Sequence, residues 1–151
     1  MELVTTLQKA QPEIVAEALA IVEHSHVHHY ETAGAAFTRT ALDDLFRLVV
    51  TAIDRRDLNG VTQFAKELAE HRFAAGFDIS EVQTAFNALE TATWRRVVAT
   101  EAAQDLPEAI GLVSTVFGGA KDALARRYVS LASQKHVPSL DLSALFQGTI
   151  S

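Results

Sequence analysis

No cysteine occurs among the 151 residues, which excludes disulfides, thiolate metal centres and thiol chemistry. Proline is scarce, at three residues, and glycine modest, at seven, which suits long helices better than a turn-rich sandwich. Positive charge is also short: 13 Lys and Arg stand against 19 Asp and Glu, a formal net charge of -6. An acidic surface repels phosphate backbones, and no run of Lys or Arg reads as a membrane patch, so neither nucleic acid nor membrane is expected as a partner. No stretch approaches the ~18 consecutive apolar residues of a membrane span. The opening MELVTTLQKAQPE lacks the basic start and apolar core of a secretory signal. A cytoplasmic protein is the simplest expectation.

What is present is helical periodicity. Hydrophobic residues make up 48% of a chain of ordinary single-domain size, and they recur at spacings of three and four nearly throughout. Five or six helices are predicted. A short segment, Leu3 to Lys9, leads to Pro12, well placed in the first turn of a helix that carries Ile14, Ala18, Ile21 and Val22 into a histidine-rich stretch. Gly34 marks a break. The next helix runs from about Ala35 to Arg55 and is apolar on more than one side, with a corner near Asp57. Another follows to Ala75, with Gly76 as its left-handed exit. Asp78-Ile-Ser-Glu81 reads as a capping box opening the next helix, and Asp105-Leu-Pro-Glu108 opens the last by the same logic. Gly118-Gly119 sits in the middle of that last helix, where two glycines cost about 1 kcal/mol each against Ala; close helix approach, a kink and a simple break are all open. Residues 1–136 are expected to form one domain, and 137–151, VPSLDLSALFQGTIS with the preceding boundary, a loose tail.

Few residues point to chemistry. Arg72 falls inside the apolar stripe formed by Val61, Ala65, Leu68 and Ala75, and a buried guanidinium cannot shed its proton, so it needs a partner. Glu90, at the edge of the stripe of the following helix between Phe86 and Trp94, is the expected one if the two helices pack antiparallel across Gly76-Phe77. A structural ion pair or a snorkelling stem is the preferred account; a switchable, anion-receiving arginine is the sharper one. Four of the six histidines lie between His24 and His29. His24 and His28 would share a helical face at a metal-ligand spacing, yet no further cluster completes a site, so no metal is expected and a solvated, pH-sensitive face is preferred. A haem reading would need a proximal histidine such as His71 with Trp94, Phe86 and Phe46 around it, but aromatic residues at helical spacing are more often ordinary core. No nucleophile elbow, P-loop or dinucleotide fingerprint occurs, so no enzyme activity and no cofactor are expected.

The stretch from Glu67 to Val82 is the most distinctive. With Arg72, Gly76-Phe77 and Glu81-Val82 in that order, it resembles the N-terminal sensor domain of the RsbR family, the stressosome co-antagonists. The following helix, with Trp94 before Arg95-Arg96, is similar as well. The likeness spans roughly Pro12 to Lys135 and rests chiefly on Leu58 to Val98. It implies a globin-like, all-α helical bundle without haem, a homodimer, and a place before a signalling output domain. No output domain follows here, so a stand-alone relative and an isolated N-terminal piece are both open.

Together these readings predict a non-enzymatic sensory or regulatory domain of stress signalling that acts through helix packing, biased by a small apolar ligand or a signalling protein partner. Arg72, Phe73, Phe77, Phe86, Glu90, Trp94 and Phe117 are the expected lining of its core or pocket. A face of the terminal helices would carry the dimer. The rival readings are a haem-binding globin or globin-coupled sensor and a metal-binding helical protein using the His24 to His29 cluster.

Overall fold

The computed structural model describes residues 2–136, and among them every regular element is an α-helix. They are α1 (Leu3–Lys9), α2 (Gln11–His24), α3 (His28–Ala33), α4 (Ala35–Arg55), α5 (Asn59–Ala74), α6 (Ile79–Thr100) and α7 (Leu106–His136). The fold is all-α, consistent with a globin-like bundle. The expected tail at 137–151 lies outside the described residues.

Among the described residues seven helices stand where five or six were expected, because the histidine-rich stretch is not a continuation of α2. Ser25 still bonds back to Ile21, but His26 adopts the left-handed conformation at φ 51 and Val27 is extended. The chain turns there so that Val27, 8% exposed, joins the core before α3 begins. His24 therefore sits at the end of one helix and His28 at the start of another. The shared face that an i,i+4 pair needs does not exist.

The other boundaries follow local chemistry. Gly34, at φ 96 and ψ 163, makes the sharp step from α3 to α4 that a side chain would resist. Arg56 turns left-handed after α4, and the Asp57 carboxylate accepts from the Asn59 amide at 2.9 Å, so the corner expected near Asp57 is a side-chain-capped turn into α5. At the end of α5 the Gly76 amide bonds to the Phe73 carbonyl at 3.1 Å and the Phe77 amide to the Arg72 carbonyl at 2.9 Å. That pair of bonds is a Schellman motif, and Gly76 supplies its left-handed residue at φ 88.

The most extensive helix interfaces are those of α5 with α7 and of α2 with α6, with α4 packed against α2 and α5. Sequential α5 and α6 thus turn to different partners rather than to each other. Phe46, Phe86 and Phe117 fill the centre at 1% exposure or less. Truncating any of them to Ala would cost about 3–5 kcal/mol. Helix α7 runs unbroken through Gly118-Gly119. A Cβ on Gly119 would lie 3.2 Å from Leu58 Cδ1, whereas one on Gly118 would meet nothing within 4 Å. Close approach explains Gly119; nothing in the packing explains Gly118.

Candidate functional site

The Schellman turn has a consequence for Arg72. In such a motif the residue after the left-handed glycine folds back onto the third-last residue of the helix, usually as an apolar contact. Here those two residues are Phe77 and Arg72, and the contact is a cation over a ring, with the guanidinium carbon 5.3 Å from the Phe77 centroid. Two further rings close around the same cation. Phe37, in the first turn of α4, lies 4.5 Å away, and Tyr30 of α3 lies 5.7 Å away. Arg72 Nε donates to the Tyr30 hydroxyl at 3.4 Å. Arg72 is 8% exposed and Tyr30 3%. Burial pushes the Tyr30 phenol up, partly offset by the hydrogen bond and positive charge of Arg72.

The expected Arg72–Glu90 pair does not form. Glu90 accepts instead from Lys121 Nζ at 2.7 Å, tying α6 to α7. The reason is topological: α5 and α6 are not packed antiparallel against each other, so residues on their facing stripes do not meet. Among the described residues no carboxylate lies within ion-pairing distance of the Arg72 guanidinium. Its charge is held by aromatic faces, which in a desolvated setting contribute roughly 0.5–2 kcal/mol each.

A second polar contact braces the same joint. His29 Nδ1 lies 2.9 and 2.7 Å from the two Glu81 carboxylate oxygens, and the His29 ring packs on Phe77 at 4.9 Å. Glu81 was expected to complete a capping box. Only half of that box is present: Asp78 accepts from the Ser80 amide at 3.1 Å, while the Glu81 side chain turns away to α3. The Ser80 hydroxyl also donates to Asp78, and this bond is the main cause that holds the Asp78 carboxyl below its ordinary range. From α7, the Tyr128 hydroxyl donates to the Phe77 carbonyl at 3.2 Å.

The sequence-predicted residues thus separate. Arg72 and Phe77 meet at the joint. Phe73, beside them in sequence, packs edge-on against Tyr128 at 5.8 Å. Phe86 and Phe117 are interior core, and Trp94 is a half-buried residue on α6. His71, the haem candidate, is exposed on the rim of a groove beside Arg72, while Phe46 and Phe86 lie inside the core, so these three do not line one pocket. His24 Nδ1 is bonded to the Ala20 carbonyl at 2.8 Å, and among the described residues no three His, Asp or Glu side chains converge as metal ligands. Sequence reasoning missed Tyr30, Phe37, His29 and Tyr128. The Schellman rule applied to Gly76 would have found the Phe77–Arg72 contact; nothing local signals the other rings.

An arginine and a Gly-Phe turn at the hinge between α5 and α6 are the features on which the resemblance rested, and the comparison with known families agrees. The model of the RsbT co-antagonist protein rsbRD N-terminal domain matches residues 11–136. The chain belongs to this family. No curated protein and no solved structure matches it. The rsbRD N-terminal domain is regulatory rather than catalytic, a sensor domain of the stressosome type, and the match takes in every residue of the Arg72 joint. Among the described residues no helix is long and apolar enough to cross a membrane.

Proposed function

We propose that this chain is a non-enzymatic sensory domain whose output is a shift in helix packing at the Arg72 joint, biased by a ligand or a protein partner and relayed through a homodimer. The observation that carries the reading is the buried guanidinium held by rings from α3, α4 and the α5–α6 turn without a carboxylate. Contacts of this kind are worth roughly 0.5–2 kcal/mol apiece. Coupling between sites in regulatory proteins is of the same order, about 1–3 kcal/mol. A joint built this way is therefore strong enough to hold one packing and weak enough for a binding event to shift it.

A haem-free sensor is supported by the placement of the haem candidates, since an exposed His71 and a core-buried Phe46 and Phe86 do not compose a proximal pocket. The dimer forms through α7, whose Ile110 and Val129 are 42% and 64% exposed. The domain acts in the cytoplasm on a signalling protein or an output domain. Protein purified without denaturant tests this. An absorbance spectrum without a Soret band and a sedimentation mass of two chains are expected. A stoichiometric tetrapyrrole band, or a monomer at tens of micromolar, contradicts the reading.

A further inference from the structure

Arg72 is not sealed by its rings. Its Nε is occupied by Tyr30, but among the described residues no acceptor meets its terminal nitrogens, and the side chain lines a groove of about 490 Å³ between α4 and α5. Most of the groove's wall is apolar, formed by Ala41, Phe37, Phe64 and Leu68, with Thr40, Asp44 and His71 as its polar residues besides Arg72. We propose that this groove binds a small organic monocarboxylate, with its carboxylate on the Arg72 guanidinium and its apolar body against Phe37, Phe64 and Leu68. The inference rests on the sensory reading above and names the chemical class of the ligand.

Three arguments select a monocarboxylate. First, a planar guanidinium offers parallel N–H donors matched to a carboxylate, and Phe37 and Phe77 already hold it at 4.5 and 5.3 Å, so less ordering entropy remains to be lost on binding. Secondly, the groove provides few other donors. The Thr40 hydroxyl on its wall is donated to the Ala36 carbonyl at 3.0 Å, leaving Arg72 as the fixed cation and the exposed His71 on the rim. Thirdly, charge disfavours a phosphate. Asp44 stands at the rim, itself 3.5 Å from Arg47, and the chain carries a net charge of -6, so a dianion is repelled where a monoanion is balanced by one guanidinium. The volume lies within the ordinary range of small-molecule pockets, about 300–1,000 Å³.

Amide NMR titration of the whole chain tests the site with octanoate, phenylacetate, their matching alcohols and inorganic phosphate. At least one of the two acids is expected to shift the amides of Phe37, Phe64, Leu68 and Arg72, with the alcohols and phosphate binding at least tenfold more weakly. Arg72→Met keeps an apolar stem without the charge and is expected to weaken acid binding at least tenfold. Should that variant fail to fold, Leu68→Glu places a carboxylate one helical turn before Arg72, satisfies the guanidinium from within and abolishes acid binding as well. Binding of neither acid, equal binding of acid and alcohol, preferential binding of phosphate, or undiminished binding by a folded variant overturns the proposal. Sedimentation of the same samples separates the two readings. A protein that dimerises without binding either acid loses the carboxylate site but not the sensory role; one that binds an acid as a monomer keeps the site and loses the dimeric sensor.

Discussion

Arg72 shows how far a single residue can be read from its spacing. Its place on an apolar stripe demands a partner for a charge that cannot be neutralised, and that much is visible in the sequence. The identity of the partner is not, because Tyr30 approaches from 42 residues upstream and Phe37 from another helix altogether. The same neighbourhood sets the titration of Tyr128. Burial, chiefly, and then the nearby Tyr30 push its phenol up to about 12, with Arg72 opposing the rise and Asp78 and Glu81 adding to it. The folded state therefore keeps a proton that the unfolded chain releases near pH 10, so folding stability falls as pH rises from about 10 to about 12. Denaturation midpoints measured across this window are expected to decline. Tyr128→Phe is expected to lose about 1 kcal/mol at neutral pH with its hydrogen bond and to flatten part of that alkaline decline. A wild-type midpoint that stays level through pH 12 would contradict the assignment.

At the scale of elements, the turns decide what the helices can bring together. Helix α4 begins and ends where its periodicity places it, at Ala35 and Arg55, because Gly34 and the corner at Asp57 are strong local signals. The histidine-rich stretch misleads because its polar residues are compatible with a helix, and only the burial of Val27, a tertiary effect, forces the left-handed turn at His26. At Gly76 the backbone itself is decisive. A Cβ there would meet His29 Nε2 at 3.6 Å, an ordinary contact, so Gly76→Ala should cost about 1–2 kcal/mol from the left-handed backbone alone, seen as a lower denaturant midpoint. The glycine pair in α7 should divide. Gly118→Ala is expected to stabilise by about 0.5–1 kcal/mol through helix propensity, having nothing to strike. Gly119→Ala should gain less or lose stability, since Leu58 stands 3.2 Å from the new methyl group. Equal gains at both sites would mean that Gly119 does not mediate close packing.

For the whole molecule, all-α class and family were both readable, since periodicity reports helices and the Arg72 to Val82 stretch is distinctive in its order. The pairing of helices was not. A chain with a short α5–α6 turn invites an antiparallel hairpin, yet α5 packs on α7 and α6 on α2, and this choice moves Glu90 to Lys121 and leaves Arg72 to the rings. The proposed dimer belongs to this scale: Val129→Asp, placing a charge on an exposed apolar position of α7, is expected to shift sedimentation toward monomer while leaving helicity unchanged. An unaltered dimer would move the interface elsewhere. Everything proposed for the domain depends on α3, α4, α5 and the α5–α6 turn meeting at one guanidinium. Side-chain ¹⁵N NMR of Arg72 examines that meeting most directly. Its Nε–H is expected to be slow to exchange, shifted by ring currents from its exposed counterparts such as Arg47, and to show contacts to Phe37 and Phe77 protons. A fast-exchanging signal indistinguishable from that of Arg47, with no ring contacts, would contradict it.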